Sequence, residues 1–152
     1  MENERESSMN YQAIKIKLPM RVKEASGAQI KTPEKVAEIC ADMREMSQES
    51  LQVLSLNAKY KLVNRHLITL GLANSSLLHA REVFRAAIAD NAVAIILVHN
   101  HPSGDTTPSA DDIESTRKII EAGKIIGIDV LDHVIIGDQT YSMRESGTVN
   151  FK

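Results

Sequence analysis

Two histidines one residue apart, His99 and His101, are followed by Pro102-Ser103-Gly104, then by Pro108-Ser109, and then by Asp112. Side chains on a strand alternate with a period of two, so His99 and His101 share a face if the apolar run before them stays extended that far. Two imidazole nitrogens with one carboxylate oxygen from Asp112 make a three-ligand set that leaves a fourth position for water. That is the layout of a catalytic zinc site and not of a closed structural one. Zinc bound in this way acidifies water from a pKa of 15.7 to about 7. A further group must then carry the proton, and a glutamate suits that task.

Two glutamates qualify, and the local sequence leaves both open. Glu49 stands just before a predicted strand, at a helix-to-strand junction where local sequence favours a solvated acid. Glu82 stands in the first turn of a predicted helix, where the helix dipole already accounts for an acid. Ser109 has two readings as well. It can cap the helix that follows, or its hydroxyl can stabilise an oxyanion. Asp112 fits the capping pattern Ser109-x-x-Asp112, and capping would also aim its carboxylate at the histidines. Asp111 is its neighbouring competitor.

Several elements must position these groups. Thr32-Pro33 opens a helix, with a capping hydroxyl and then proline at the first helical position. Val36, Ile39, Cys40, Met43 and Met46 form its apolar stripe. Leu51–Leu56 and Lys61–Leu70 read as a hairpin that Gly71 ends. Arg81–Ala89 is a helix with Val83, Phe84, Ala87 and Ile88 at core spacing. Ala92–Val98 is an unbroken apolar run, predicted as a central strand. A loop spans 99–109, Ser109 opens a helix to about Ala122, and Ile126–Ile136 and Gln139–Met143 are strands joined by a turn at Gly137-Asp138. This mixture predicts an α/β (α+β) fold, a mixed sheet flanked by helices. Residues 1–10 read as a disordered arm. Residues 11–30 read as an N-terminal extension with an edge strand at Tyr11–Leu18, and 31–152 as the main domain.

The 152 residues suit one principal domain, and 43% hydrophobic with 25% charged residues is ordinary globular composition. A formal net charge of -2 gives no overall pull toward nucleic acid, although Lys15, Lys17, Arg21 and Lys23 form a local basic run. The lone cysteine, Cys40, excludes an internal disulfide and a cysteine-rich zinc site, and its place in the apolar stripe marks it as a core thiol. No run approaches the roughly 20 apolar residues of a membrane span. The polar, acidic start Met1–Glu6 is unlike a signal peptide, so a cytoplasmic location is expected.

The pattern His99-x-His101, seven residues, Ser109-x-x-Asp112 resembles the signature of the JAB/MPN-plus (JAMM) metalloprotease superfamily. The block His99-Asn100-His101-Pro102-Ser103-Gly104, with Arg81-Glu82-Val83-Phe84 and Leu131-Asp132-His133, is similar to its RadC-like branch over roughly residues 30–150. Ala80 stands where many members have proline. The helix-hairpin-helix segment of longer RadC proteins is not recognisable. The resemblance implies a JAB/MPN (cytidine-deaminase-like) architecture and Zn2+ held by His99, His101 and Asp112. It also implies Glu49, at Gln48-Glu49-Ser50-Leu51, as the catalytic glutamate. Asn100 occupies a position where many deubiquitinating relatives have serine. Asp132 and His133 are read either as support for the site or as a structural pair at a sheet edge, and His66 and His79 as surface or core residues.

Three functions follow as expectations. The first is a zinc-dependent metallopeptidase or isopeptidase acting on a peptide or protein substrate. The second is a DNA-repair or recombination accessory protein, as the RadC name implies. The third is a non-catalytic MPN-type binding module. Substrate, nucleic-acid binding and oligomeric state are not legible.

Overall fold

In the computed structural model, residues 27–71 and 78–152 are described. The predicted arm and the strand at Tyr11–Leu18 lie outside them. Thr32 caps α1 (Pro33–Ile39), its hydroxyl accepting from the Lys35 amide at 3.3 Å. A short 3-10 turn, Ala41–Glu45, continues it. Then come β1 (Ser50–Leu56), β2 (Leu62–Leu70), α2 (Ala80–Ala89), β3 (Ala94–Asn100), α3 (Ala110–Ile126), β4 (Asp129–Ile136) and β5 (Thr140–Ser142).

The described strands form one five-stranded mixed sheet in the order β2-β1-β3-β4-β5. β3 and β4 are parallel, joined through α3, and the other pairs are antiparallel. Every residue of β1 and of β3 is buried. A strand covered on both faces needs apolar residues on both, which is why β3 reads as an unbroken apolar run. One face packs Leu51, Val53, Ile95 and Leu97 against Val83, Phe84 and Ala87 of α2 and Ile119 and Ile120 of α3. The other packs Leu54, Leu56, Ile96 and Val98 against Val36, Cys40 and Met43. Cys40 is a core thiol as expected, and burial raises its pKa to about 11.

Several boundaries differ from the sequence reading. β3 continues through His99 and Asn100, because Leu51 of β1 and Ile135 of β4 pair with His99 and extend the ladder beyond the apolar run. The helix predicted to end near Ala122 continues to Ile126, and the strand predicted from Ile126 starts at Asp129. Gly127 sets that limit: at φ 83° it adopts the left-handed conformation that ends helices, and its amide bonds to Gly123 O at 2.8 Å. Gly123 is small by necessity, since a Cβ there would lie 2.5 Å from Ile128 O.

Candidate metal centre

The site forms where the C-terminal end of β3, the start of β1 and the first turn of α3 meet. His99 lies on β3, facing α2 and α3 with Ile95 and Leu97. His101 follows the strand end, and its amide still bonds to Ile136 O at 2.9 Å. The two rings meet edge to face with centroids 4.8 Å apart. Glu49 arrives from the residue before β1. Its Oε1 is 3.3 Å from His99 Nε2 and 3.8 Å from His101 Nε2. Glu49, His99 and His101 offer ligand-type atoms within 4.8 Å of one another. Asp112 approaches from α3, with Oδ1 3.5 Å from His99 Nδ1 and Oδ2 3.3 Å from His101 Nε2.

A reciprocal capping box fixes Asp112. Ser109 Oγ accepts from the Asp112 amide at 3.0 Å, and Asp112 Oδ2 accepts from the Ser109 amide at 2.9 Å. Both sequence readings of Asp112 therefore coexist: it caps α3 and it faces the imidazoles. Asp112 is buried, whereas Asp111 is exposed at the cavity rim. Burial opposes the Asp112 charge, but His101 and the Ser109 amide outweigh it and hold the carboxyl well below its ordinary range. Glu82 is exposed and does not line the cavity.

The histidines differ in environment. Burial pushes His99 below its ordinary pKa, whereas the Asp112 carboxylate beside His101 pushes that ring up. His101 Nδ1 lies 2.7 Å from Asp105 O. A carbonyl only accepts, so Nδ1 carries a proton, and in the neutral ring Nε2, the nitrogen facing Asp112 and Glu49, is left free to ligate. His99 Nδ1 is buried without a hydrogen-bond partner among the described residues.

Beneath His99 lies a polar relay. Thr116 Oγ1 donates to Asp112 O at 2.6 Å and therefore accepts from His133 Nδ1, also at 2.6 Å. The His133 ring centroid is 5.9 Å from that of His99, and its Nε2 has no partner among the described residues. Burial drives its pKa down to about 3. Asp132 faces the other way and accepts from Ser142 Oγ and the amides of His133 and Arg144. The pair thus divides its work, and β4 is an interior strand, not an edge. Thr116 escaped the sequence reading. Its position one helical turn after Asp112 was the available signal.

The groups open into a cavity of about 410 Å³. Leu51, Leu78, Leu97 and Ile119 contribute apolar wall, and Ser109, Asp112 and His133 contribute polar wall. The arrangement fits a divalent cation bound by nitrogen and oxygen. Two carboxylates face two imidazoles, one imidazole presents a free Nε2, and a buried imidazole nitrogen lacks a partner. His101 Nε2 and Asp112 Oδ2 lie 3.3 Å apart, close enough for one cation to be shared between them. His66 is paired with Asp90, and His79 precedes α2 without a side-chain capping bond, so neither joins the site.

Residues 30–148 match the family model of the RadC-like JAB domain. Among curated proteins, UPF0758 protein TTE0897 of Caldanaerobacter subterraneus subsp. tengcongensis is 49% identical over 125 residues, which cover 81% of this chain and 54% of that protein. UPF0758 protein GWCH70_2550 of Geobacillus sp. (strain WCH70) is 49% identical over 122 residues, covering 79% and 54%. UPF0758 protein RBAM_025090 of Bacillus velezensis is 44% identical over 137 residues, covering 87% and 59%. The chain spans little more than half the length of these relatives. With its sheet order, its paired imidazoles and this match in hand, the chain belongs to the RadC-like JAB domain family.

Proposed function

We propose that this domain is a zinc-dependent hydrolase of amide bonds, a metallopeptidase or isopeptidase. The convergence of His99, His101, Asp112 and Glu49 at the mouth of one cavity carries this reading. His99, His101 and Asp112 would hold the ion. Asp112 is the better third ligand because it is buried and its charge is secured, whereas Glu49 is half-exposed, with the side chain 36% accessible. Zinc supplies Lewis acidity, polarising a carbonyl and acidifying water.

The chain's own residues carry the protons. Glu49 takes the proton of the attacking water and delivers it to the nitrogen of the leaving amine. Ser109 Oγ accepts from the Asp112 amide, so its own hydrogen stays free to be donated to the developing oxyanion. The apolar wall at Leu51, Leu97 and Ile119 accommodates substrate beside the scissile bond.

The reading is tested with a panel of peptides and isopeptides and with metal analysis by mass spectrometry. Wild type should retain zinc and hydrolyse part of the panel. Glu49→Gln should keep the zinc and lose about 10²–10⁴-fold in turnover. His101→Ala should lose the metal. Hydrolysis that is indifferent to Glu49→Gln would refute the assignment.

A further inference from the structure

His99 and His101 enclose Asn100, and strand alternation turns its side chain to the opposite face of the sheet from His99. There it is 1% exposed. Its Oδ1 accepts from the Ser50 amide at 2.7 Å and from Ser50 Oγ at 2.8 Å. Its Nδ2 donates to Gln48 O at 2.9 Å. One carboxamide thus grips the backbone on both sides of Glu49. The Glu49 carbonyl is also tied, accepting from the Gly71 amide at 2.7 Å. The Glu49 side chain itself is half-exposed, so these backbone bonds set where its carboxylate starts.

We infer that Asn100 is the positioning residue for Glu49: the tripeptide that supplies both imidazoles also fixes the acid's distance from them. The inference rests on Glu49 being the proton carrier. The chemistry calls for an amide. Two acceptor sites are used by Ser50 and a donor by Gln48 O, a combination that a carboxylate lacks and that a serine hydroxyl is too short to span. The bonds run between β3 and the residues leading into β1, so they lock the end of the ladder next to the site, where pairing otherwise frays.

The experiment compares wild type with Asn100→Ser and with Ser50→Ala, which removes only one of the grips. Three quantities are read on each: hydrogen exchange of the Ser50 amide against that of Leu54, zinc affinity, and kcat and KM on any hydrolysed peptide. Asn100→Ser should speed exchange at Ser50 at least about 10-fold while Leu54 stays protected, because only the strand end is released. It should leave zinc affinity and KM within about threefold while lowering kcat by about 100-fold, the scale of a misplaced catalytic group. Ser50→Ala should shift the same quantities in the same direction by less, and it serves as the test if Asn100→Ser does not fold. Unchanged exchange at Ser50, or a kcat loss matched by an equal loss of zinc affinity, overturns the inference. If wild type hydrolyses nothing, the proposed function falls, and the exchange measurement still decides whether Asn100 holds the Glu49 backbone.

Discussion

His133 sits against the site with its Nδ1 hydrogen given to Thr116 and its other nitrogen without a partner among the described residues. Burial keeps it neutral down to a pKa of about 3, from an ordinary 6.5. A histidine with a depressed folded pKa binds its proton more readily in the unfolded chain. Stability is therefore complete above about pH 6.5 and falls progressively as pH drops toward 3. In urea titrations of the metal-free protein, the midpoint should fall between pH 7 and pH 5. His133→Phe, which cannot take up that proton, should flatten part of the slope, and a slope identical to wild type would contradict the assignment of acid sensitivity to this ring. Burial shifts His99 in the same direction, so some slope should remain, and the raised pKa of His101 opposes both rings and offsets part of it. The sequence left Asp132 and His133 as equivalent candidates for a reason visible in β4. Val130 belongs to the helix-side core, and simple alternation from it would put Asp132 on the site's face. A register shift opposite Ile95 and Ile96 resets the phase, and His133 faces the site instead. A bulge of this kind leaves no periodic trace in a strand buried on both sides.

At the level of elements, α3 does double duty as a scaffold and as the carrier of Asp112. Its N-terminus is defined by the Ser109 and Asp112 capping box, and its C-terminus by Gly127 in the left-handed conformation. Ser109→Ala should destabilise the domain by about 1 kcal/mol, the ordinary cost of losing a cap. The same substitution removes the hydroxyl proposed for the oxyanion, so turnover should fall by more than the stability loss explains. Equilibrium unfolding and kinetics on one preparation separate the two effects. The loop before α3 is pinned as tightly. Gly104 has φ 87°, its carbonyl accepts from the Asp138 amide at 2.9 Å, and a Cβ on it would lie 2.6 Å from the Asp138 carboxylate. The Pro-Ser-Gly block was readable as a tight loop, and the partner it packs against was not, because Asp138 belongs to the β4–β5 turn far along the chain.

For the molecule as a whole, stability is divided between two cores on opposite faces of one sheet, and the site draws on the helix-side core. Phe84, 1% exposed among Ile95, Ile119 and Val130, anchors that side. Phe84→Ala should cost about 3–5 kcal/mol in equilibrium unfolding. Metal binding should couple to folding of the entire domain. Zinc at about a hundredfold excess over its Kd adds about 2.7 kcal/mol, which corresponds to a rise in Tm of roughly 5–10 °C. A chelator should reverse that rise, and His101→Ala should not respond to zinc. Among the described residues no helix is long and apolar enough to cross a membrane. The sequence by itself determined the residue types that meet at the cavity and the i, i+2 spacing of the imidazoles. It also determined the cap that starts α3, the apolar run of β3 and the burial of Cys40, since each of these is a property of neighbours in the chain. The approach of Glu49 to His99, the grip of Asn100 on residues 48–50 and the turn of His133 toward the site were decided by tertiary structure alone. They depend on the register in which β1, β3 and β4 pair, and register is fixed by packing between segments that the chain keeps tens of residues apart.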